Sequence, residues 1–189
     1  LQDRVTELAK ASDFVFISPP CKTASIAFDP PLRTLYDPRG LLQTDPKRRS
    51  LVEKANTLYD FTARILKTCS EYSIRYAVES SASRRDGPTK CRWDKFANND
   101  FLWDYPGIAQ AGADYICFAQ CAFGAPYQKY TGLLVDHQSS QAFRSLFGNA
   151  DFTCASHRQI LRGYDTSGVA NTSLAEAYPP QLCRAFAHA

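Results

Sequence analysis

Four short apolar runs, "DFVFIS" (13–18), "IRYAVES" (74–80), "DYICFAQ" (114–120) and "TGLLVDH" (131–137), set between segments of helical period, constrain this chain more than anything else in it. Runs of this length, rich in Val, Ile, Tyr and Phe, read as strands, and a run without polar alternation is the pattern of a strand buried on both faces. By that rule "DFVFIS" is expected to be covered above and below. The longest helical period lies between the first two runs. Leu51, Val52, Ala55, Leu58, Tyr59, Ile65, Leu66 and Cys69 keep to one helical face, behind Ser50 and Glu53 in capping-box order. Val5, Leu8 and Ala9 predict a shorter helix over 2–11, and Ser173 to Glu176 cap a last helical stretch that resumes after Pro179-Pro180. Strands alternating with helices predict a layered α/β fold.

The 189 residues, 44% of them hydrophobic, suffice for one domain with a sizeable core, read as a single unit over 1–189. The formal charge of +3 is too small to argue for a polyanionic partner, so any such partner must be argued from local residues. No window approaches the roughly 18 apolar residues of a membrane span, and the charged start "LQDRVTELAKASD" is not a secretory signal, so a soluble intracellular chain without a membrane partner is expected. Seven scattered cysteines do not form a disulfide framework and are read as reduced thiols. The stretch "FDPPLRTLYDPRGLLQTDPKRR" (28–49) has loop chemistry and is expected to be too polar to pack.

In an open α/β sheet, chemistry collects beyond the carboxyl ends of the strands. There the first strand runs into Pro19-Pro20-Cys21, and the second ends in Glu79-Ser80-Ser81. A cysteine at such a tip acts as a nucleophile when its thiol ionises, and the preceding prolines restrict the turn that presents it. A carboxyl group on the neighbouring tip is placed to hold or protonate what the thiol attacks. The plainer reading is a small apolar cysteine and a solvated strand end.

The order of these pieces resembles the cytosine carbon-5 DNA methyltransferases, particularly the divergent phage and mobile-element types. The similarity runs from about residue 11 to 187, through "SPPC", "YAVES", "CAFGAPYQKYTGLLV" and "AYPPQLCRAFA". It implies Cys21 as nucleophile, Glu79 as the acid that grips the cytosine, and Pro20, Lys22, Ser80, Lys129 and Thr131 beside the substrate. It also implies Pro19 and Tyr178 beside the cofactor, S-adenosylmethionine, and DNA with a flipped cytosine as the partner. The implied fold is a partial Rossmann-like three-layer sandwich of the class I methyltransferase kind, a mixed sheet with a C-terminal hairpin. Phe123, Gly124, Pro126, Lys129 and Thr131 carry the motif that follows the third strand run.

The chain also departs from that pattern. Ser80 stands where the family has Asn and Lys22 where it has Gln, and no Gly-rich turn of the kind that cradles the cofactor follows a strand. The cofactor half is therefore expected in a segment upstream in the same polypeptide, and both an active segment completed in that way and an inactive remnant fit these substitutions. Lys22, Arg33, Arg39, Lys47, Arg48 and Arg49 offer phosphate contacts on the long loop. Two other readings stay open: a cysteine hydrolase pairing Cys21 with His137 or His157, and a non-catalytic α/β interaction domain. Cys117, Cys121, Cys154 and His157 have the ligand types for zinc, and Trp93, Trp103, Phe96 and Phe101 could stack a base, but none forms a signature and no metal is expected.

Overall fold

The structure, a computed structural model, describes residues 1–25, 28, 30–83, 102–148, 157–159, 161, 163, 165–169 and 171–188. Four strands form one mixed sheet: β1 (Phe14–Ile17), β2 (Arg75–Ser81), β3 (Asp114–Ala119) and β4 (Tyr130–Val135), in the order β1-β2-β4-β3. β1 and β2 are parallel, with Ile17 opposite Val78, whereas β4 is antiparallel to both of its neighbours. It follows that β1, β2 and β3 all run the same way and end along one edge of the sheet. The chain is thus α/β with a mixed sheet and a C-terminal β3-β4 hairpin, compatible with part of a Rossmann-like fold.

Helices cover both faces. α1 (Gln2–Lys10) and α2 (Pro46–Glu71) bring Ala9, Ala55, Tyr59, Ile65, Leu66 and Cys69 against Tyr76, Val78 and Leu134. On the other face, α3 (Ser140–Phe147) and α4 (Pro180–Ala187) bring Phe143, Phe147 and Leu182 against Ala77, Ile116, Phe118, Leu133 and Val135. Central position explains the unbroken apolar runs: all six residues of β4 and five of the seven in β2 are buried.

Four expectations are corrected. β1 is an edge strand, not one buried on both faces: Phe14 and Phe16 stay 38% and 40% exposed because no strand lies beyond them in the described sheet. α2 starts at Pro46 rather than Ser50, since the Asp45 carboxylate accepts the Arg48 amide and proline is preformed for the first helical position. Ser173 lies in a short 3-10 turn, Asn171–Ala175, and α3 was not anticipated. Nor is the long loop too polar to pack: Leu32 and Arg33 are each only 2% exposed. Gly40 seals that packing at φ +63°, where a Cβ would fall 2.6 Å from the Leu32 carbonyl oxygen.

Candidate active site

The carboxyl edge of the sheet gathers a hydrogen-bonded trio. Side chains alternate along β2, so Ala77 and Glu79 face the α3-α4 layer while Tyr76, Val78 and Ser80 face α2. Ser18, one step beyond β1 in the parallel register, comes opposite Glu79 and donates to Glu79 Oε2 at 2.7 Å. Tyr178, just before α4, donates to the same oxygen at 2.8 Å, with the two hydroxyl oxygens 3.2 Å apart. Each hydroxyl has one proton and spends it on the carboxylate, which fixes the carboxyl plane. Glu79 is 5% exposed, and its Oε1 is neither hydrogen-bonded nor among the sealed, unpartnered atoms of the described residues. One carboxylate oxygen is anchored, and the other makes no hydrogen bond among the described residues. Burial, reinforced by the Glu79 and Cys21 charges, pushes the Tyr178 phenol far above its ordinary value, so it remains a proton donor.

Cys21 sits at the start of the short 3-10 helix Lys22–Ala24, half-buried and unbridged. Its turn is pinned from behind: the Tyr59 hydroxyl of α2 donates to the Pro20 carbonyl at 2.6 Å, and the Ala24 amide donates to the Cys21 carbonyl at 2.9 Å. Burial foremost pushes the Tyr59 phenol up.

The other expected site residues divide. Ser80 is 1% exposed on the face opposite to Glu79, its hydroxyl without a partner among the described residues. Thr131 is fully buried and accepts from Gln120 Nε2 at 3.0 Å. Lys129 Nζ donates to the Ala175 carbonyl at 3.2 Å, and the Lys22 ammonium stands 5.8 Å from the Phe28 ring centroid. Pro19 is buried and Pro20 exposed. Of the basic loop residues, Arg33 is buried, Arg39 pairs with Asp60 through two hydrogen bonds of 2.8 Å and Arg49 pairs with Glu53. Among the described residues, Lys22, Lys47 and Arg48 are left outside any ion pair. Sequence reasoning missed Ser18, although its spacing from Phe14 and Phe16 puts it on the Glu79 face; for Gln120, a buried amide at the end of β3, no sequence signal exists.

The histidines named for a hydrolase make no hydrogen bond to Cys21 among the described residues. β4 is antiparallel, so His137 lies at the opposite edge of the sheet, where Nδ1 stands 2.9 Å from Asp114. Among the same residues no cluster of three or more metal-ligating side chains occurs; Cys154 lies outside them, as do Trp93, Phe96 and Phe101. Trp103 is no free stacking platform: its indole donates to the Ser81 carbonyl at 2.9 Å and its ring meets Tyr115 edge-on. No described helix is long and apolar enough to cross a membrane.

The residues implied for S-adenosylmethionine do not by themselves fit it. Pro19 is buried, the Tyr178 hydroxyl is spent on Glu79, and the sequence has no Gly-rich turn. What the edge defines is a half-buried thiol in the turn after β1 and an anchored carboxylate on β2. Comparison with protein-family models, with curated proteins and with solved structures finds no match.

Proposed function

We propose that this chain is the base-activating segment of a DNA cytosine-5 methyltransferase. The observation that carries the reading is the Ser18–Glu79–Tyr178 trio, which leaves one Glu79 oxygen open on the same sheet edge as Cys21. Carbon 5 of cytosine is a poor nucleophile until the ring is made an enamine. Cys21, as thiolate, bonds to carbon 6; the displaced π pair forms a carbon 4–carbon 5 double bond, and ring nitrogen 3 takes the proton that Glu79, entering in its acid form, carries on Oε1 and recovers when the thiolate leaves. Carbon 5 is then electron-rich. Taking a proton from water there, losing the original one and expelling the thiolate returns cytosine with its carbon 5 hydrogen exchanged. This chain's residues suffice for that sequence. A base in duplex DNA must be flipped to reach the edge, and of the basic residues over 22–49, the exposed Lys22 and Lys47 together with Arg48, which no described carboxylate pairs, are the ones to hold the flanking phosphates.

The methyl donor calls for a companion segment, and β1 is the edge where it joins. The Phe-Val-Phe-Ile strand is apolar, pairs in parallel with β2, and borders a groove of about 420 Å³ lined by Val5, Leu8, Ile17, Phe61 and Ile65. Parallel strands are stable when covered on both faces and flanked by further strands. A strand added parallel to β1 would end beside Pro19, Pro20 and Cys21, delivering its following turn to the site.

Tritium release from duplex DNA carrying 5-tritiated cytosine tests the activation without a methyl donor. The wild-type chain is expected to release tritium and Cys21→Ser to release none. Glu79→Gln is expected to be slower by about 10²-fold or more, the scale of a lost general acid. No release by the wild-type chain, or equal release by Cys21→Ser, overturns the reading.

A further inference from the structure

The long loop before α2 holds a buried guanidinium whose hydrogen bonds lead to the Cys21 turn. Arg33 is 2% exposed. Its Nη1 donates at 2.8 Å both to Asn56 Oδ1 of α2 and to the Pro38 carbonyl. Nη2 and Nε reach the Thr23 hydroxyl at 3.2 and 3.4 Å. The guanidinium lies 4.9 Å from the Tyr59 ring centroid and 5.6 Å from that of Tyr105. Burying a cation is costly unless dipoles and aromatic faces replace its water, and here both do. Thr23 in turn meets the Tyr59 hydroxyl at 3.2 Å, and that hydroxyl donates to the Pro20 carbonyl. The same cation therefore touches the threonine two residues after Cys21 and the tyrosine that grips the proline before it.

We infer that Arg33 is the positioning residue for the Cys21 turn: by engaging Thr23 and the Tyr59 ring together, it locks the backbone on both sides of the thiol and makes the loop over 30–45 a clamp on that turn. Arg33 touches no reacting atom. A lysine in its place would keep the charge over Tyr59 but could not reach Thr23, Asn56 and the Pro38 carbonyl at once, because an ammonium is a single point and a guanidinium is a fork. Methionine would fill the volume but take the donor from the Asn56 amide oxygen and the Pro38 carbonyl, leaving Thr23 with the Tyr59 hydroxyl alone.

Amide hydrogen exchange of Ala24, whose N–H donates to the Cys21 carbonyl, reads this lock without requiring any reaction at Cys21. In Arg33→Met the Ala24 amide is expected to exchange about tenfold faster, the scale of removing a charge-assisted hydrogen bond, while β2 and β4 amides keep their wild-type rates. Thr23→Val is expected to give the same local change at about threefold, the scale of a single weak hydrogen bond. Arg33→Lys should fall between wild type and Arg33→Met, and millimolar methylguanidinium should slow the exchange again in Arg33→Ala, a rescue that general loosening would not show. If Arg33→Met does not fold, Thr23→Val decides. Wild-type Ala24 exchange in either folded variant, or no rescue by methylguanidinium, overturns the inference. A chain that shows this pattern but releases no tritium keeps the clamp and loses the methyltransferase reading, so the two failures are distinct.

Discussion

The sheet has two edges, and they are finished differently. β3 is capped: Phe118 is fully buried in an aromatic cluster with Phe123, Phe147 and Phe186, and Asp114 at the strand's start faces His137 and Arg144. β1 is as apolar as any strand here, yet Phe14 and Phe16 remain more than a third exposed, and the rings they meet, Phe143 and Phe186, both lie on one face of the sheet. Natural edge strands are blunted by charge, proline, bulge or cover, and β1 has none of the first three within Phe14–Ile17. An edge left in this state is open to pairing, and Ser18 and Cys21 hang from its end.

Cavity formation measures the contrast most strongly. Phe118→Ala empties a fully enclosed ring position and is expected to cost about 3–5 kcal/mol in urea unfolding, whereas Phe16→Ala, already partly solvated, should cost below about 1 kcal/mol. Equal costs would mean that β1 is as much a core strand as β3, and the comparison would fail.

The same contrast marks what could be read from sequence. β2 and β4 were legible because a strand flanked on both sides writes its burial into an unbroken apolar run. β1 carries an identical run, and composition cannot say whether the neighbouring strand is present; that depends on the sheet order, not on residues 14–17. That Cys21 and Glu79 lie toward one edge of the sheet was legible from the two strand ends. The support of Glu79 was not: Tyr178 reaches it across 99 residues, and the role of Arg33 rests on its reach to Asn56, Thr23 and the Tyr59 ring, which no local pattern encodes. A polar, proline-broken loop normally lies in solvent, and here a single buried cation reverses the expectation. α3 did leave a sign, since Asp136 Oδ1 accepts the Gln138 and Ser139 amides in the turn that starts it.

A charge on the open edge should keep it from pairing. Phe16→Lys should lower concentration-dependent association of the chain in sedimentation velocity while changing unfolding stability by less than about 1 kcal/mol, because lysine is among the residues that guard natural edges. It should also block joining of a companion strand. Unchanged association would show that β1 is not the sticky edge, and loss of the fold would show that Phe16 is core.

The smallest expected effect belongs to the finished edge. The His137 ring foremost, then the Ser140 hydroxyl and, among weaker contributions, the Arg144 charge hold the Asp114 carboxyl below its ordinary value. A carboxyl group depressed in the native state contributes stability above its unfolded value, near 3.9, and loses it as pH falls through the native one. Asp114→Asn should therefore be slightly less stable than wild type at pH 5 to 7, with the difference closing below about pH 4 and shrinking in about 1 M salt, because the pair is solvent-facing. Phe16→Ala changes no titrating group, so its stability difference should stay flat over the same range. An acid limb that survived in Asp114→Asn would place the acid-sensitive interaction elsewhere and remove electrostatics from what distinguishes the two edges, leaving aromatic cover alone to do so.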